Sequence, residues 1–208
     1  KPMFVSQASD ILKGSDTKVC AVIGFPHGNS TTKIKVAETK QAIKEGATEI
    51  DMVIHAGKVL GKDWKYIKKD IAAVNKACLK GGAILKVIFE NDFIPDHASK
   101  IKLCKICNAV KVAFVKTSTG YGYVKSPSGE YNYKGATTED VLLMRKYCNP
   151  EIQIKAAGGI RSLDDLLKYK ELGVTRVGAT ASVMMLKEMK KRLGIESNQI
   201  TITETKGY

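Results

Sequence analysis

The feature that most constrains the fold is a regular alternation of short apolar runs with amphipathic helices along the 208 residues. The apolar runs are rich in Val and Ile and nearly continuous in hydrophobicity, which is typical of strands buried on both faces of a sheet. Strands that alternate with helices predict βαβ units and a parallel sheet. The predicted strands span residues 18–24, 49–54, 84–89, 111–116, 152–155 and 175–178.

The intervening helices are predicted from apolar residues spaced three and four apart. The clearest helix has a stripe formed by Trp64, Ile67, Ile71, Val74 and Cys78, with lysines on its other side. Ser162 followed by Asp165 predicts a capping box at the start of another helix, and Gly173 predicts its end. Pro95 suits the first position of a third helix.

Two parallel architectures fit this pattern: an open doubly wound sheet and a (β/α)8 TIM barrel. The glycine motifs of dinucleotide-binding folds and of P-loop proteins are both absent from the sequence. Glycines and polar residues instead collect at the carboxyl ends of successive strands, where barrel enzymes carry their chemistry and bind phosphate in the last two loops. The pattern therefore favours the barrel. These residues are Gly24, Asp51, Glu90, residues 116–120, Lys155 with Gly158 and Gly159, and residues 178–180.

Three ionisable residues lie inside predicted buried strands: Asp51, Lys116 and Lys155. A buried charge costs free energy unless it is paired or functional. One interpretation is a salt-bridge cluster that only stabilises the fold. The other is catalytic, because a desolvated lysine beside a second ammonium has a lowered pKa and can attack a carbonyl as a free amine. A nearby carboxylate can then relay protons.

Two motifs carry a resemblance to a known family. Residues 114–120 read FVKTSTG, and residues 155–161 read KAAGGIR. With residues 22–26, 49–54, 85–90 and 177–179, they make the chain resemble the deoxyribose-phosphate aldolase family from near residue 2 to about residue 190. The family consists of class I aldolases with a (β/α)8 barrel. The resemblance also implies that residues 4–12 form the helix that follows the family's second strand.

The resemblance implies reversible cleavage of 2-deoxy-D-ribose 5-phosphate to D-glyceraldehyde 3-phosphate and acetaldehyde. It implies that Lys116 forms the Schiff base, that Lys155 tunes the pKa of Lys116 and transfers protons, and that Asp51 works as acid and base with Lys155 through water. It implies no metal and no cofactor, because the iminium serves as the electron sink. The residues expected to bind the substrate phosphate are Gly120, Gly158, Gly159, Gly178 and Thr180, with Arg161 as a further candidate that is equally interpreted as a surface pair.

Two other functions remain open from the sequence. One is another sugar-phosphate barrel enzyme, either an isomerase or a different Schiff-base aldolase. The other is a non-catalytic basic barrel that only binds or supports a partner. The presence of all three catalytic residue types argues against the non-catalytic barrel.

Two segments stand apart from the predicted units. Residues 121–135 form a Tyr-rich polar insertion directly after the Lys116 strand, interpreted either as a disordered loop or as a lid over the site. Residues 195–208 form a C-terminal tail that ends in Tyr208. The resemblance makes Tyr208 a candidate for proton exchange, and the alternative is an ordinary frayed end.

Charge and cysteine usage bear on partners and compartment. Lys and Arg total 34 and Asp and Glu total 21, a formal charge of +13. Arginine is scarce and the lysines are spread over nearly every helix, so a field that attracts an anionic sugar phosphate fits better than nucleic-acid binding. The longest apolar run, residues 19–25, is far below the about 20 residues of a membrane span. A homodimer is left open.

The five cysteines are an odd number, which makes a disulfide framework improbable and favours a reducing, cytoplasmic location. Cys104 and Cys107 have the spacing of a metal-binding or redox pair. No second such pair accompanies them, and they share a helical stripe with Ala98 and Ile101. Core packing is therefore the favoured interpretation.

The length is short for the predicted fold. Six βα units are present, whereas a closed barrel has eight and typically about 250 residues. No composition break marks a second domain, so residues 1–208 are interpreted as one barrel domain that lacks its first one or two strands. We therefore expect an N-terminally incomplete domain.

Overall fold

The computed structural model describes residues 2–195. Its strands are β1 (Cys20–Ile23), β2 (Glu49–Val53), β3 (Ile84–Ile88), β4 (Phe114–Lys116), β5 (Val124–Lys125), β6 (Tyr131–Asn132), β7 (Gln153–Ala157) and β8 (Arg176–Gly178). Its helices are α1 (Val5–Ile11), α2 (Thr32–Lys44), α3 (Ala56–Leu60), α4 (Trp64–Lys80), α5 (His97–Val110), α6 (Thr138–Tyr147), α7 (Leu163–Glu171) and α8 (Ser182–Arg192). Short 3-10 turns occupy Pro2–Phe4 and Asn91–Phe93.

The six predicted strands are confirmed, and they form one parallel sheet in the order β1-β2-β3-β4-β7-β8. Ile50 of β2 lies opposite Leu85 of β3, and Val115 of β4 lies opposite Ile154 of β7. All five residues of β2 are buried. Burial on both faces explains why these strands are nearly continuous in hydrophobicity.

The sheet is curled into part of a barrel. β2 and β8 are four strand positions apart, which in a flat sheet would separate them by roughly 19 Å. Yet Arg176 of β8 forms an ion pair with Glu49 of β2 over 3.3 Å, closer than these two side chains could come from opposite sides of a flat sheet. The contact therefore crosses a barrel interior. The predicted barrel class is confirmed, and the open doubly wound sheet is not formed.

Within the described residues, β1 pairs only with β2, and β8 pairs only with β7. Residues 2–195 thus contain six of the eight strands of a closed barrel. The interpretation of residues 1–208 as one N-terminally incomplete domain stays a prediction.

The helices begin and end largely where their local chemistry predicts. Four residues of the predicted α4 stripe are fully buried, and Asp63 caps the helix by accepting a hydrogen bond from the Tyr66 amide. Ser162 and Asp165 form the predicted capping box of α7. Gly173, with φ of +84°, follows the end of that helix. The helix predicted over residues 4–12 is confirmed as α1, one residue shorter at each end.

The predicted positions of Pro95 and Lys111 are wrong. Pro95 lies before α5 and not at its first position, because the carboxylate of Asp96 accepts a hydrogen bond from the Ser99 amide and starts the helix at His97. Lys111 does not begin β4. It ends α5 in the left-handed conformation, with φ of +58°.

The segment at residues 121–135 is folded, so its interpretation as a disordered loop is wrong. It contains the antiparallel pair β5 and β6, with Lys125 opposite Tyr131. A tight turn joins the two strands, in which the Gly129 amide donates to the Ser126 carbonyl. Gly129 has φ of +92°, a conformation that glycine adopts without strain.

The cysteines of α5 belong to the hydrophobic core. Cys104 and Cys107 are fully buried, and Cys148 lies in the same core. Burial raises the pKa of the Cys107 thiol well above its usual value. The interpretation of Cys104 and Cys107 as core residues is confirmed. Between residues 2 and 195, no helix combines the length and the apolar character that crossing a bilayer needs.

Candidate active site

Asp51 lies at the centre of a cluster of buried charges inside the barrel. Its Oδ2 accepts hydrogen bonds from Lys116 Nζ at 2.8 Å and from Lys155 Nζ at 2.7 Å. Its Oδ1 accepts a third hydrogen bond, from Lys86 Nζ at 2.8 Å. Asp51 and Lys86 are almost completely buried, and Lys116 is only 8% exposed. The structure thus brings together all three predicted catalytic residues.

Parallel strands explain how residues far apart in sequence meet. Lys116 is the last residue of β4 and pairs in register with Lys155 of β7. Asp51 is the third residue of β2 and pairs with Lys86 of β3. The strand that carries Lys155 continues to Ala157, so Lys155 lies within its strand and not at the end that the sequence predicts.

The contact between Asp51 and Lys155 is direct. The resemblance implies that the two side chains work together through water, whereas the structure joins Nζ and Oδ2 by a hydrogen bond. A direct hydrogen bond fixes the orientation of both groups before any substrate binds. Proton exchange between them therefore needs no intermediary in this arrangement.

Four residues in or next to the cluster are not predicted from the sequence: Lys86, Glu49, Arg176 and Cys20. Lys86 Nζ also forms an ion pair with Glu49 over 2.7 Å, and Glu49 in turn contacts Arg176. The signal for Lys86 was present, because it is a lysine inside the apolar run of β3. Cys20 was another unrecognised neighbour, since its Sγ lies 3.2 Å from both Lys86 Nζ and Asp51 Oδ1.

The charge balance of the cluster favours a neutral amine. Two carboxylates, Asp51 and Glu49, face four cationic side chains: Lys86, Lys116, Lys155 and Arg176. Loss of one proton from a lysine reduces the repulsion among these cations in a site of low dielectric. The cluster can therefore hold one lysine as a free amine while it keeps both carboxylates ionised.

The directions of the pKa shifts favour Lys116 over Lys86 as that lysine. Burial lowers the pKa of Lys116, and the Lys155 ammonium lowers it further against the opposing effect of Asp51. Burial alone would raise the pKa of Asp51, but the ammonium groups of Lys116, Lys155 and Lys86 hold it well below its usual range. By contrast, the pKa of Lys86 is raised, because its carboxylate partners outweigh the effect of burial. Lys116 is thus the candidate nucleophile.

Three of the four predicted phosphate-binding glycines follow the strands that carry the two lysines. Gly120 follows Lys116 with φ of +86°, and Gly158 and Gly159 follow β7 with φ of +90° and +75°. Gly178 ends β8 beside Ala157, where an added Cβ would approach the Ala157 Cβ to 2.9 Å. The same Cβ would lie 3.6 Å from Lys155 Cε. The absence of a side chain at Gly178 therefore allows β8 to pack closely against Ala157 of β7.

The start of α8 differs from the other long helices near the barrel mouth. Thr180 is exposed directly before it, and its N-cap residue, Ala181, provides no side-chain hydrogen bond to the first turn. Side chains cap α2, α4, α5, α6 and α7. The amides at the start of α8 are thus available to an anion.

The two remaining candidate site residues are Arg161 and Tyr208. Arg161 is exposed and lines a groove of about 450 Å³ between α7 and α8, together with Met184 and Lys187. Within residues 2–195 the Arg161 side chain forms no ion pair, so the surface pair expected as an alternative is not seen there. Tyr208 lies outside the described residues.

Comparison with known proteins agrees with this arrangement. The model of the DeoC/LacD family of aldolases matches residues 2–186. A deoxyribose-phosphate aldolase from Rhodopirellula baltica is 42% identical over 207 residues, which cover 100% of this chain and 81% of the relative. A deoxyribose-phosphate aldolase from Lactococcus lactis is 45% identical over 185 residues, covering 89% of this chain and 78% of the relative.

Solved structures show the same fold. The structure of QR15, an aldolase, superposes with a TM-score of 0.82 at 31% identity, covering 94% of this chain and 82% of that one. The tetrameric deoxyribose phosphate aldolase of Aeropyrum pernix gives a TM-score of 0.78 at 27% identity, covering 92% of this chain and 76% of that one. On the match to the family model and on the identity to these relatives, the chain belongs to the DeoC/LacD family of aldolases.

Proposed function

We propose that this chain is a class I aldolase that reversibly cleaves 2-deoxy-D-ribose 5-phosphate to D-glyceraldehyde 3-phosphate and acetaldehyde. The observation that carries the proposal is the environment of Lys116. Its amine is buried, has a lowered pKa, and lies within hydrogen-bond reach of a carboxylate that also binds a second lysine. The relatives from Rhodopirellula baltica and Lactococcus lactis are both named deoxyribose-phosphate aldolase, which supports this substrate.

In the proposed cleavage, the neutral amine of Lys116 attacks C1 of the open-chain sugar. Loss of water leaves an iminium, which accepts the electron pair of the C2–C3 bond when that bond breaks. The proton of the C3 hydroxyl departs, and glyceraldehyde 3-phosphate is released. The remaining enamine takes a proton at C2, and hydrolysis of the resulting iminium frees acetaldehyde and regenerates Lys116.

Each proton in this sequence needs a donor or an acceptor close to Lys116. Asp51 and Lys155 are joined by a hydrogen bond and both adjoin the amine, so they form a unit that can exchange a proton. We assign to Asp51 and Lys155 the transfers at the C3 hydroxyl and at C2. Lys155 also lowers the pKa of Lys116, which keeps the nucleophile unprotonated.

The phosphate of the substrate is proposed to bind at the loops after β7 and β8. Gly158 and Gly159 lie in the loop after β7, Gly178 ends β8, and Thr180 follows it shortly before the uncapped start of α8. Barrels commonly bind phosphate at this position. Gly120 and Arg161 remain proposed contributors, and the positive charge of the protein assists capture of the anion.

We further propose a cytoplasmic location and an oligomeric state. All five cysteines are free thiols, which is typical of a reducing compartment. A homodimer is one possibility, and a tetramer is the alternative, because one structural relative is described as tetrameric. Light scattering on the protein as it elutes from a size-exclusion column would give the number of subunits directly.

A trapping experiment tests the proposed function. Acetaldehyde and borohydride should leave a two-carbon adduct on Lys116, detected by peptide mass spectrometry. Lys116→Ala should abolish both the adduct and cleavage of 2-deoxyribose 5-phosphate. The control Lys146→Ala, a substitution of an exposed lysine, should change neither. Cleavage that survives Lys116→Ala, or an adduct on another lysine, would exclude this mechanism. A protein with neither adduct nor cleavage would instead fit an isomerase or a non-catalytic barrel.

A further inference from the structure

Hydrogen bonds to the short turn after β3 hold the chain at both ends of the hairpin formed by residues 121–135. At its start, the buried carboxylate of Glu90 accepts hydrogen bonds from the amide and the hydroxyl of Thr119. At its end, the carboxylate of Asp92 accepts hydrogen bonds from the Lys134 amide at 2.6 Å and the Gly135 amide at 3.0 Å. Two acids of the loop after β3 therefore hold the hairpin in place.

The start of the hairpin also contacts the loop after β1. The rings of Tyr121 and Phe25 meet edge to face with centroids 5.1 Å apart. Next to Tyr121, Gly122 lies against Glu90, where an added Cβ would approach Oε1 to 2.6 Å. The hairpin thus reaches from the loop after β4 towards the edge strand β1, across the carboxyl ends of the strands.

The end of the hairpin packs directly on the proposed phosphate loop. An added Cβ on Gly135 would lie 2.5 Å from the carbonyl carbon of Gly158, and one on Gly158 would lie 2.9 Å from Gly135 Cα. The Ala136 amide donates to the Gly158 carbonyl at 3.1 Å. Tyr133 covers the same glycine, with Cε2 3.6 Å from the position of its missing Cβ.

These contacts couple Asp92 to Gly158. Both glycines have positive φ and pack backbone against backbone, so neither can shift without displacing the other. Asp92 fixes the amides immediately before that contact. A hydrogen bond to an ionised acceptor is stronger than a neutral one, which makes Asp92 the firmest attachment at this end of the hairpin.

We propose that Asp92 is a positioning residue which, through the end of the hairpin, fixes the Gly158 loop in the conformation that binds the substrate phosphate. This inference rests on the proposed function. It assigns the hairpin to recognition of the phosphate end of the substrate and leaves the Schiff-base chemistry at Lys116 independent of it. The hairpin then determines preference for phosphorylated over unphosphorylated deoxyribose.

The test compares 2-deoxyribose 5-phosphate with 2-deoxyribose in wild type and Asp92→Ala. The variant should raise KM for the phosphorylated sugar about tenfold, the effect of losing one or two charged hydrogen bonds. Its kcat should stay within about twofold, and kcat/KM for unphosphorylated deoxyribose should not change. Asp92→Asn retains one acceptor oxygen and should lie between wild type and Asp92→Ala.

The matched control is Glu130→Gln, which removes an equal charge from the exposed turn of the same hairpin. It should leave both substrates unaffected. Trapping of acetaldehyde on Lys116 requires no phosphate, so an unchanged trapping rate in Asp92→Ala shows that the site is still folded. An unchanged preference for phosphate in that variant, or equal losses for both sugars, would overturn the inference. Absence of cleavage by wild type would instead count against the proposed function.

Discussion

Lys155 and Asp51, which are 104 residues apart in sequence, are joined by a hydrogen bond of 2.7 Å across the barrel interior. The same Asp51 oxygen also accepts a hydrogen bond from Lys116. One carboxylate oxygen therefore links the proposed nucleophile to the proposed proton carrier. Removal of the Lys155 charge and removal of the Asp51 charge should therefore shift the pKa of Lys116 in opposite directions.

Removal of the Lys155 charge should raise the pKa of Lys116. In Lys155→Met the repulsive ammonium is lost, and Asp51 is left to stabilise the Lys116 ammonium. The acidic limb of the pH profile for acetaldehyde trapping should move to higher pH, and cleavage should fall about 10²–10⁴-fold with loss of proton transfer. A trapping profile that matches wild type would show that Lys155 does not tune the nucleophile.

Removal of the Asp51 charge should move the same pH profile the other way. Asp51 raises the pKa of Lys116, so Asp51→Asn should shift the acidic limb of trapping to lower pH. The variant should also unfold more easily, because three buried amines lose their shared carboxylate, at a cost of roughly 3–5 kcal/mol for a broken buried pair. Urea denaturation measures the loss of stability. A shift of the profile to higher pH would contradict the assigned electrostatics.

Substitution of two buried lysines, Lys35 and Lys86, should distinguish a loss of stability alone from a loss of both stability and activity. Lys35 forms a fully buried ion pair with Asp70 and donates to the Val53 carbonyl, and neither partner contacts the charge cluster. Lys35→Met should lower stability by roughly 3–5 kcal/mol and leave the turnover of folded protein unchanged. Lys86→Met should lower both, because Lys86 orients Asp51 through Oδ1. Equal specific activities of the two folded variants would show that Lys86 has no part in the reaction.

Acid should destabilise the protein through its buried carboxylates. The pKa of Asp51 and that of Glu49 are both lowered in the fold. Above the unfolded values of about 4 their ionised forms stabilise the native state, and this contribution is lost as pH falls below about 4. Urea midpoints should therefore drop steeply below that pH in wild type and in Glu130→Gln, and less steeply in Asp51→Asn. Parallel curves for all three proteins would refute this explanation.

Local chemistry allowed the sequence to predict much of the fold. Strands buried on both faces must be nearly continuous in hydrophobicity, and helix starts must satisfy free amides, so the six strands and the α7 capping box were predictable. Boundaries failed where two local signals competed. Asp96 caps α5 with its carboxylate, so the helix begins after Pro95 and not at it. Lys111 adopts a left-handed conformation that no pattern in the sequence indicates.

The catalytic candidates were also visible in the sequence. Asp51, Lys116 and Lys155 interrupt buried strands, where an ionisable residue costs free energy without a partner. Lys86 carries the same signal within β3, although it was not among the predicted site residues. The sequence alone thus determined which residue types enter the barrel interior and the order of the strands that carry them.

Only the tertiary structure decided what those residues contact. The choice of Asp51 Oδ2 for two lysines and of Oδ1 for a third depends on the curl of the sheet, which brings strands β2, β4 and β7 around one interior. The attachment of the hairpin by Glu90 and Asp92 likewise joins segments about 30 and 40 residues apart. Hydrophobic periodicity records whether a residue is buried, but it carries no information on which distant charge it meets, because that pairing follows from the closure of the sheet.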